Sequence, residues 1–236
     1  MTGVLRDAGR AVLDLIYPVK CVVCGDFQER YLCQACLDQV EPIGPRICDT
    51  CGAPSLERAC QQCREHPPLF EIARSVGRFE GPLREAVHEL KYLGKRPAAH
   101  ELVELMVAYA VSHPRLANGA DAVIPVPIHP TRERARGFNQ ADLLAKPLAD
   151  ALELPTLEGV LVRTRAGKPQ VGLHADERRR NVLGEFEVRR RDAIRDRIII
   201  LVDDVFTTGS TADEAARVLM MSGARSVRVF TLARDC

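Results

Sequence analysis

Residues 198–211 read IIILVDDVFTTGST, and this stretch narrows the choice of fold more than any other. Ile198 to Val202 are apolar without alternation, the pattern of a strand buried on both faces of a parallel sheet. Two adjacent carboxylates, Asp203 and Asp204, stand where that strand is expected to end. Small residues follow, Thr207, Thr208, Gly209, Ser210 and Thr211, and lead directly into a helical pattern. Ala212, Ala215, Ala216 and Leu219 share one face of it, Asp213 and Glu214 occupy the first turn, and Gly223 follows its end. Such a loop aims backbone N–H groups, hydroxyls and the positive end of a helix dipole at one spot, which suits a phosphate. The paired acids beside it suit sugar hydroxyls or a magnesium ion.

The front of the chain obeys a different rule. Eight of the nine cysteines fall in four CxxC pairs, Cys21/Cys24, Cys33/Cys36, Cys48/Cys51 and Cys60/Cys63. The first and third pairs are each followed by glycine, and both halves repeat the same internal spacing. Two tetrahedral zinc sites, each with four cysteine ligands, are the simplest reading. Local pairing puts Cys21, Cys24, Cys33 and Cys36 on one ion and Cys48, Cys51, Cys60 and Cys63 on the other. A cross-braced arrangement, first pair with third and second with fourth, is the alternative. A disulfide framework would need a secretory context, and Arg6, Asp7, Arg10 and Asp14 break up any signal-peptide core. A redox function would not need four pairs. Leu5, Ala8, Val12 and Leu15 read instead as one face of an N-terminal helix. Cys236 has no partner in this scheme.

At 236 residues the chain has room for one α/β domain and a small extra module. Pro67 and Pro68 mark the boundary, giving a helix and double zinc ribbon over 1–68 and an α/β domain over 69–236. The net charge of +1 provides no global pull toward nucleic acid or membrane. No stretch approaches the ~18 unbroken apolar residues of a membrane span, so a soluble, cytoplasmic protein without membrane insertion is expected.

Past the linker, Ile72–Phe79 reads as a strand. Gly81 and Pro82 open a helix with Leu83, Val87 and Leu90 in line, and a second helix spans roughly Ala98 to Ser112. Lys91 lies between them, either reaching a phosphate or solvated at a helix end. Val123–Val126 is a short strand, followed by a loop carrying Arg132, Arg134 and Arg136, then a helix capped by Asn139. Pro147 inside that helix predicts a kink or a break. Pro125, Pro127 and Pro130 lack N–H groups, so an anion held here must lean on Arg132 and Arg136. Gly159–Arg165 and Glu185–Arg190 read as strand-like segments enclosing a glycine-rich, arginine-rich loop. Val227–Leu232 is another buried strand. The histidines show no metal-ligand spacing.

VDDVFTTGST resembles the phosphoribosyl pyrophosphate (PRPP) motif of type I phosphoribosyltransferases. PVPxxxxRxxxRGFNQ over 125–140, with IYPVKCVVCG at the front, resembles something narrower, the ComF family of competence-associated proteins. That resemblance covers nearly the whole chain. It implies an open parallel sheet of phosphoribosyltransferase type behind a double zinc ribbon with two structural zinc ions. It also implies PRPP binding with Mg2+, Asp203 and Asp204 holding the ribose hydroxyls, and Thr207 to Thr211 cradling the 5′-phosphate. The loop between the strand-like segments would be an arm closing over PRPP, with Arg163, Gln170, Leu173, Arg178 and Asn181 at the family's positions. Asp203 and Asp204 would be the catalytic acids, and Lys91, Arg132, Arg136 and Arg178 would complete the PRPP contacts.

The resemblance leaves two functions open. One is phosphoribosyl transfer to an acceptor, linked to DNA uptake. The other is a non-catalytic PRPP-sensing or single-stranded-DNA-binding component of DNA uptake. Few aromatics interleave the basic region, which weakens stacking on DNA. The chain stops soon after the strand at 227–232, so acceptor recognition is expected from the zinc module, the segment after the linker, or the arm.

Overall fold

A computed structural model describes residues 19–92, 98–165 and 183–236. The expected N-terminal helix lies outside them, as do Gln170, Leu173, Arg178 and Asn181 of the arm. In chain order the elements are α1 (Gln34–Leu37), α2 (Gln61–Glu65), β1 (Ile72–Arg78), α3 (Gly81–Tyr92), α4 (Ala99–Ser112), α5 (Pro114–Ala117) and β2 (Ala122–Pro125). Then come α6 (Pro130–Arg136), α7 (Gln140–Ala151), β3 (Leu161–Arg163), β4 (Phe186–Val188), a 3-10 turn at Arg191–Ala193, β5 (Ile198–Phe206), α8 (Ser210–Met221) and β6 (Ser226–Arg234).

Four strands form one parallel sheet in the order β1-β6-β5-β2, and β3 and β4 make a separate antiparallel pair. The unbroken apolar run of β5 has the expected consequence. Ile199 and Leu201 pack on one face with α8 and the β3–β4 pair, while Ile200 and Val202 pack on the other against residues of α3, α4 and α7. This is the expected open α/β sheet, and its order reverses between β5 and β2, so a crevice opens at their carboxyl ends.

Three local expectations need correction. β5 does not stop before the acids. It keeps its ladder with β6 through Asp203↔Thr231 to Phe206↔Arg234, because β6 is long enough to pair with it. The arginine-bearing segment after β2 is not a loop but α6. Both of its ends are marked: Pro130 at the first turn, the His129 ring nitrogen accepting from Thr131 N at 3.2 Å, and Gly137 left-handed at φ 82° after the last turn. Nor does Pro147 break α7, which runs continuously from Gln140 to Ala151. Pro147 is exposed, so the carbonyl that loses its N–H partner can turn to water.

Both outer strands have their edges covered, as parallel sheets require. Thr156 bridges Val123 beside β2. Beside β1, Ala73 N donates to Thr50 O at 2.7 Å and Arg78 N to Glu41 O at 2.8 Å, so the cysteine-rich segment lines that edge. Gly77 marks how close the approach is: a Cβ there would lie 2.7 Å from Glu41 O and 2.9 Å from Leu83 Cδ1. Gly77→Ala should therefore destabilise the protein by about 1–3 kcal/mol, the usual cost of overpacking, read as a lower urea midpoint with unchanged slope. An unchanged midpoint would contradict the tight docking of this segment on β1.

Candidate functional site

The metal centres form locally, as the simpler of the two pairings expects. The Sγ atoms of Cys21, Cys24, Cys33 and Cys36 all lie within 4.8 Å of one another, as do those of Cys48, Cys51, Cys60 and Cys63. Individual separations of 3.8 Å (Cys21–Cys36), 3.9 Å (Cys24–Cys33) and 3.6 Å (Cys51–Cys60) are far longer than a disulfide. They match the edge of a tetrahedron with zinc–sulfur distances of about 2.3 Å. Gly25 and Gly52, at φ 78° and 75°, make the turns that bring each first pair together.

The thiols show why a cation belongs there. Burial would raise Cys21, but backbone N–H groups of Cys33, Cys24 and Val23 outweigh it and hold the thiol near 6. Cys48 is likewise held near 6 against burial by the N–H groups of Cys60, Cys51 and Thr50. Burial pushes Cys51 up to about 11 and drives Cys36 and Cys63 upward too, with neighbouring cysteines adding to the last two. Four thiolates in one cluster repel each other unless a divalent ion joins them, and the donor set fits zinc.

The second site is a cleft of about 340 Å³ at the carboxyl ends of β2 and β5, within the range of small-molecule sites. One wall carries Asp203, Asp204, Thr207, Gly209 and Thr211, and the other carries Arg132, Arg136 and Gln140. Lys91 and Arg163 also reach it. Of the expected residues, Thr208 and Ser210 do not line the cleft; they line a small cavity behind the loop, facing the second ribbon. Within the loop, Thr208 Oγ1 and Ser210 Oγ are 2.8 Å apart. Arg178 lies outside the described residues.

Each wall is held by short-range chemistry. Asn139 Oδ1 accepts from Ala141 N at 3.3 Å to cap α7, and its Nδ2 donates to Val126 O at 3.1 Å, tying that helix to the end of β2. Arg136 Nη1 donates to Gln140 Oε1 across one helical turn of spacing. Arg132 has no carboxylate partner among the described residues, and it sits four positions before Arg136, on the same face of α6. Gly209 is left-handed at φ 79° and begins α8, with its carbonyl accepting from Asp213 N at 2.8 Å. A Cβ at Gly209 would come within 2.5 Å of the Phe206 ring, so glycine is required there on two counts.

The acid pair is the electrostatic centre. Asp203 Oδ1 accepts from Asp204 N, and Asp204 Oδ1 from Val205 N, each at 2.9 Å. Lys91 Nζ, from the last turn of α3, lies 2.6 Å from Asp204 Oδ2. That contact is an ion pair only, since the buried Oδ2 accepts no hydrogen bond of ordinary geometry. Lys91 is thus half-buried against Asp204 while still lining the cleft. Burial, and then the Asp204 charge beside it, raise the Asp203 carboxyl well above the ordinary range. Arg163 makes a buried pair with Glu185, leaving Arg163 Nε and Glu185 Oε1 without hydrogen bonds.

Sequence reading misses Gln140 and Phe206 as parts of the site. Gln140 has a usable signal, its four-residue spacing from Arg136. Phe206 has none, because only the fold puts its ring under Gly209.

A double zinc ribbon domain family matches residues 12–65. DNA utilization protein YhgH of Escherichia coli O157:H7 is 34% identical over 208 residues, 86% of this chain and 90% of the relative. Competence protein F of Haemophilus influenzae is 31% identical, again over 86% of this chain and 90% of the relative. Competence protein ComFC of Bacillus subtilis is 29% identical over 86% of this chain and 84% of its own length. Among solved structures, a hypoxanthine phosphoribosyltransferase from Staphylococcus aureus aligns over 58% of this chain and 64% of its own, at 11% identity and a TM-score of 0.37. That likeness is too partial to bear on function.

Two outcomes follow from these geometries. Elemental analysis of protein purified without chelator should give about two zinc ions per chain, and Cys60→Ser should lower the count by one; one ion or none in the wild type would contradict the two centres. Asp203→Asn should stabilise the protein at pH 7 by about 0.5–2 kcal/mol, the return usual on relieving a strained site. A raised folded-state pKa means that stability is lost as pH climbs above the unfolded carboxyl value, so the gain should vanish below about pH 4. Thermal melts across pH check this, and a variant less stable than wild type at pH 7 would contradict it.

Proposed function

The chain belongs to the ComF family, and from that premise we propose that its cleft binds PRPP. The observation carrying this reading is the juxtaposition across one cleft of an acid pair and hydroxyl loop with the Arg132–Arg136 face of α6. PRPP has the matching order of groups: a 5′-phosphate for Thr207, Gly209, Thr211 and the start of α8, ribose hydroxyls for Asp203 and Asp204, and pyrophosphate for Arg132 and Arg136. Lys91 neutralises Asp204, so the two acids can accept from hydroxyls without repelling the ligand's phosphates. The proposal divides the chain into a ribbon module over 1–68 and a PRPP-binding domain over 69–236, working in the cytoplasm. Arg178 would join the site from the arm.

The carboxylate oxygens of the cleft are hard donors of the kind magnesium takes, and Mg2+ bound with PRPP would neutralise pyrophosphate charge. With an acceptor present, the bond from ribose C1 to the pyrophosphate oxygen breaks while the acceptor bonds to C1. Asp203 and Asp204 would stabilise positive charge developing on the ribose, and Arg132 and Arg136 negative charge on the departing pyrophosphate. The relatives' names concern DNA utilization and competence, which supports a role for this binding in DNA uptake. The same names favour a second reading, in which the arginine-bearing surface contacts single-stranded DNA.

One variant separates the readings. Replacing Arg132 and Arg136 with Ala should weaken PRPP binding and leave ribose 5-phosphate binding nearly unchanged. Each charge-assisted contact to phosphate is worth about 1.5–3 kcal/mol, roughly ten- to a hundredfold in affinity. Calorimetry with both ligands checks it. A variant that binds PRPP like wild type but has lost salt-sensitive affinity for single-stranded DNA would overturn the PRPP reading in favour of the second.

A further inference from the structure

The two zinc centres are not equivalent in what they touch. The first packs among Leu102, Met106 and their neighbours, on the sheet face away from α8. Its polar ties run to α4, where Glu101 accepts from Tyr31 N at 3.0 Å and Arg30 pairs with Glu104. The second lies directly behind the hydroxyl loop, across a cavity of about 30 Å³ lined by Cys51, Cys63, Thr208 and Ser210, room for about one water.

One contact crosses from this ribbon to the loop itself, and others tie the ribbon and the linker that follows it to the residues flanking the loop. Gln62, between two of the cysteine ligands, donates from Nε2 to Thr208 O at 3.0 Å. Arg234, at the end of β6, donates from Nη1 to Cys51 O at 2.7 Å, with Nη2 3.8 Å from Cys51 Sγ. The same guanidinium lies 4.5 Å over the Phe206 ring that supports Gly209. Leu69 N donates to Asp213 Oδ1 at 2.7 Å, in the first turn of α8.

The Gln62 contact has a geometric consequence. The Thr208 carbonyl and the Gly209 N–H belong to one planar trans peptide and point in opposite directions. Holding the carbonyl toward the ribbon turns the Gly209 N–H away from it. A free loop could rotate that peptide; this one is pinned.

We propose that the second zinc ribbon is a positioning element for the loop at 207–211, so that metal at Cys48, Cys51, Cys60 and Cys63 is coupled to phosphate binding in the cleft. Gln62 and Arg234 are the positioning residues. The phosphate ligand rests on the PRPP reading, but the coupling of ribbon to loop does not. Coupling between two sites is reciprocal: if the metal orders the loop for ligand, ligand must retain the metal by the same factor.

Gln62 is exposed, so the near-isosteric Gln62→Glu removes the donor without disturbing a core. The test uses full-length protein carrying both zinc ions, checked by elemental analysis. Hydrogen exchange at residues 207–211 should be at least about fivefold faster in Gln62→Glu, the lower end of typical coupling. Peptides of α4 should be unchanged, and Gln62→Lys, which keeps a donor, should restore protection. Equal exchange in wild type and Gln62→Glu would overturn the proposal. In the wild type, saturating PRPP with Mg2+ should slow loss of one of the two zinc ions to a colorimetric chelator by about fivefold and leave the other unchanged. If calorimetry shows PRPP binding and neither zinc ion is retained, the coupling to ligand is false. If PRPP does not bind while the exchange difference holds, the ligand assignment falls and the positioning role stands.

Discussion

Two carboxylates side by side near the end of a strand buried on both faces repel each other and lose hydration. The arrangement around Asp203 and Asp204 is what makes that tolerable. Each accepts the N–H of the following residue, and Lys91 brings a positive charge to Asp204 from the last turn of α3. Holding Lys91 there requires α3 to sit over the sheet, where Leu83, Ala86, Val87 and Leu90 are buried. The residual strain stays on Asp203, whose proton is held too tightly. Strain of this kind persists where surrounding structure over-determines it, and functional sites are where it collects.

The cysteine-rich segment has a comparable dependence on the rest of the chain. Among its described residues Leu32 is the large fully buried aliphatic side chain, too little for an independent core. Its cysteines instead join the two cores of the sheet, Cys21, Cys33 and Cys36 on one face and Cys48, Cys51 and Cys63 on the other. The segment in turn hydrogen-bonds the outer edge of β1, where exposed N–H and C=O groups would otherwise invite association. Ribbon and sheet therefore complete each other, and metal content bears on the whole fold rather than on an appendage.

How far this is legible in the sequence depends on the range of the signal. The parallel sheet follows from Ile198 to Val202, because a run without alternation has few other uses. Local pairing of the cysteines is the simpler of two spacing arguments, and the Sγ clusters bear it out. Where local signals compete, sequence reading fails: the arginines of α6 and the prolines at and before its start suggest a loop, although Pro130, His129 and Gly137 mark both ends of a helix. The extension of β5 to Phe206 is invisible, since it depends on the length of the partner strand β6. So are the ties from Gln62 and Arg234 to the hydroxyl loop and the ribbon, which join residues more than a hundred positions apart. Long-range contacts of that kind leave no periodicity to read.

The account stands or falls on the acid pair as the ribose site of a PRPP cleft. The most direct measurement is calorimetric titration of PRPP with Mg2+ into wild-type protein and into the double variant Asp203→Asn, Asp204→Asn. The substitution replaces both carboxyl groups with amides at nearly constant shape. The account predicts saturable binding to the wild type and an affinity lower by at least about tenfold in the variant, with the fold intact by circular dichroism; a tenfold loss is about 1.4 kcal/mol. Equal affinity in the two proteins, or no binding to zinc-replete wild type, would contradict it.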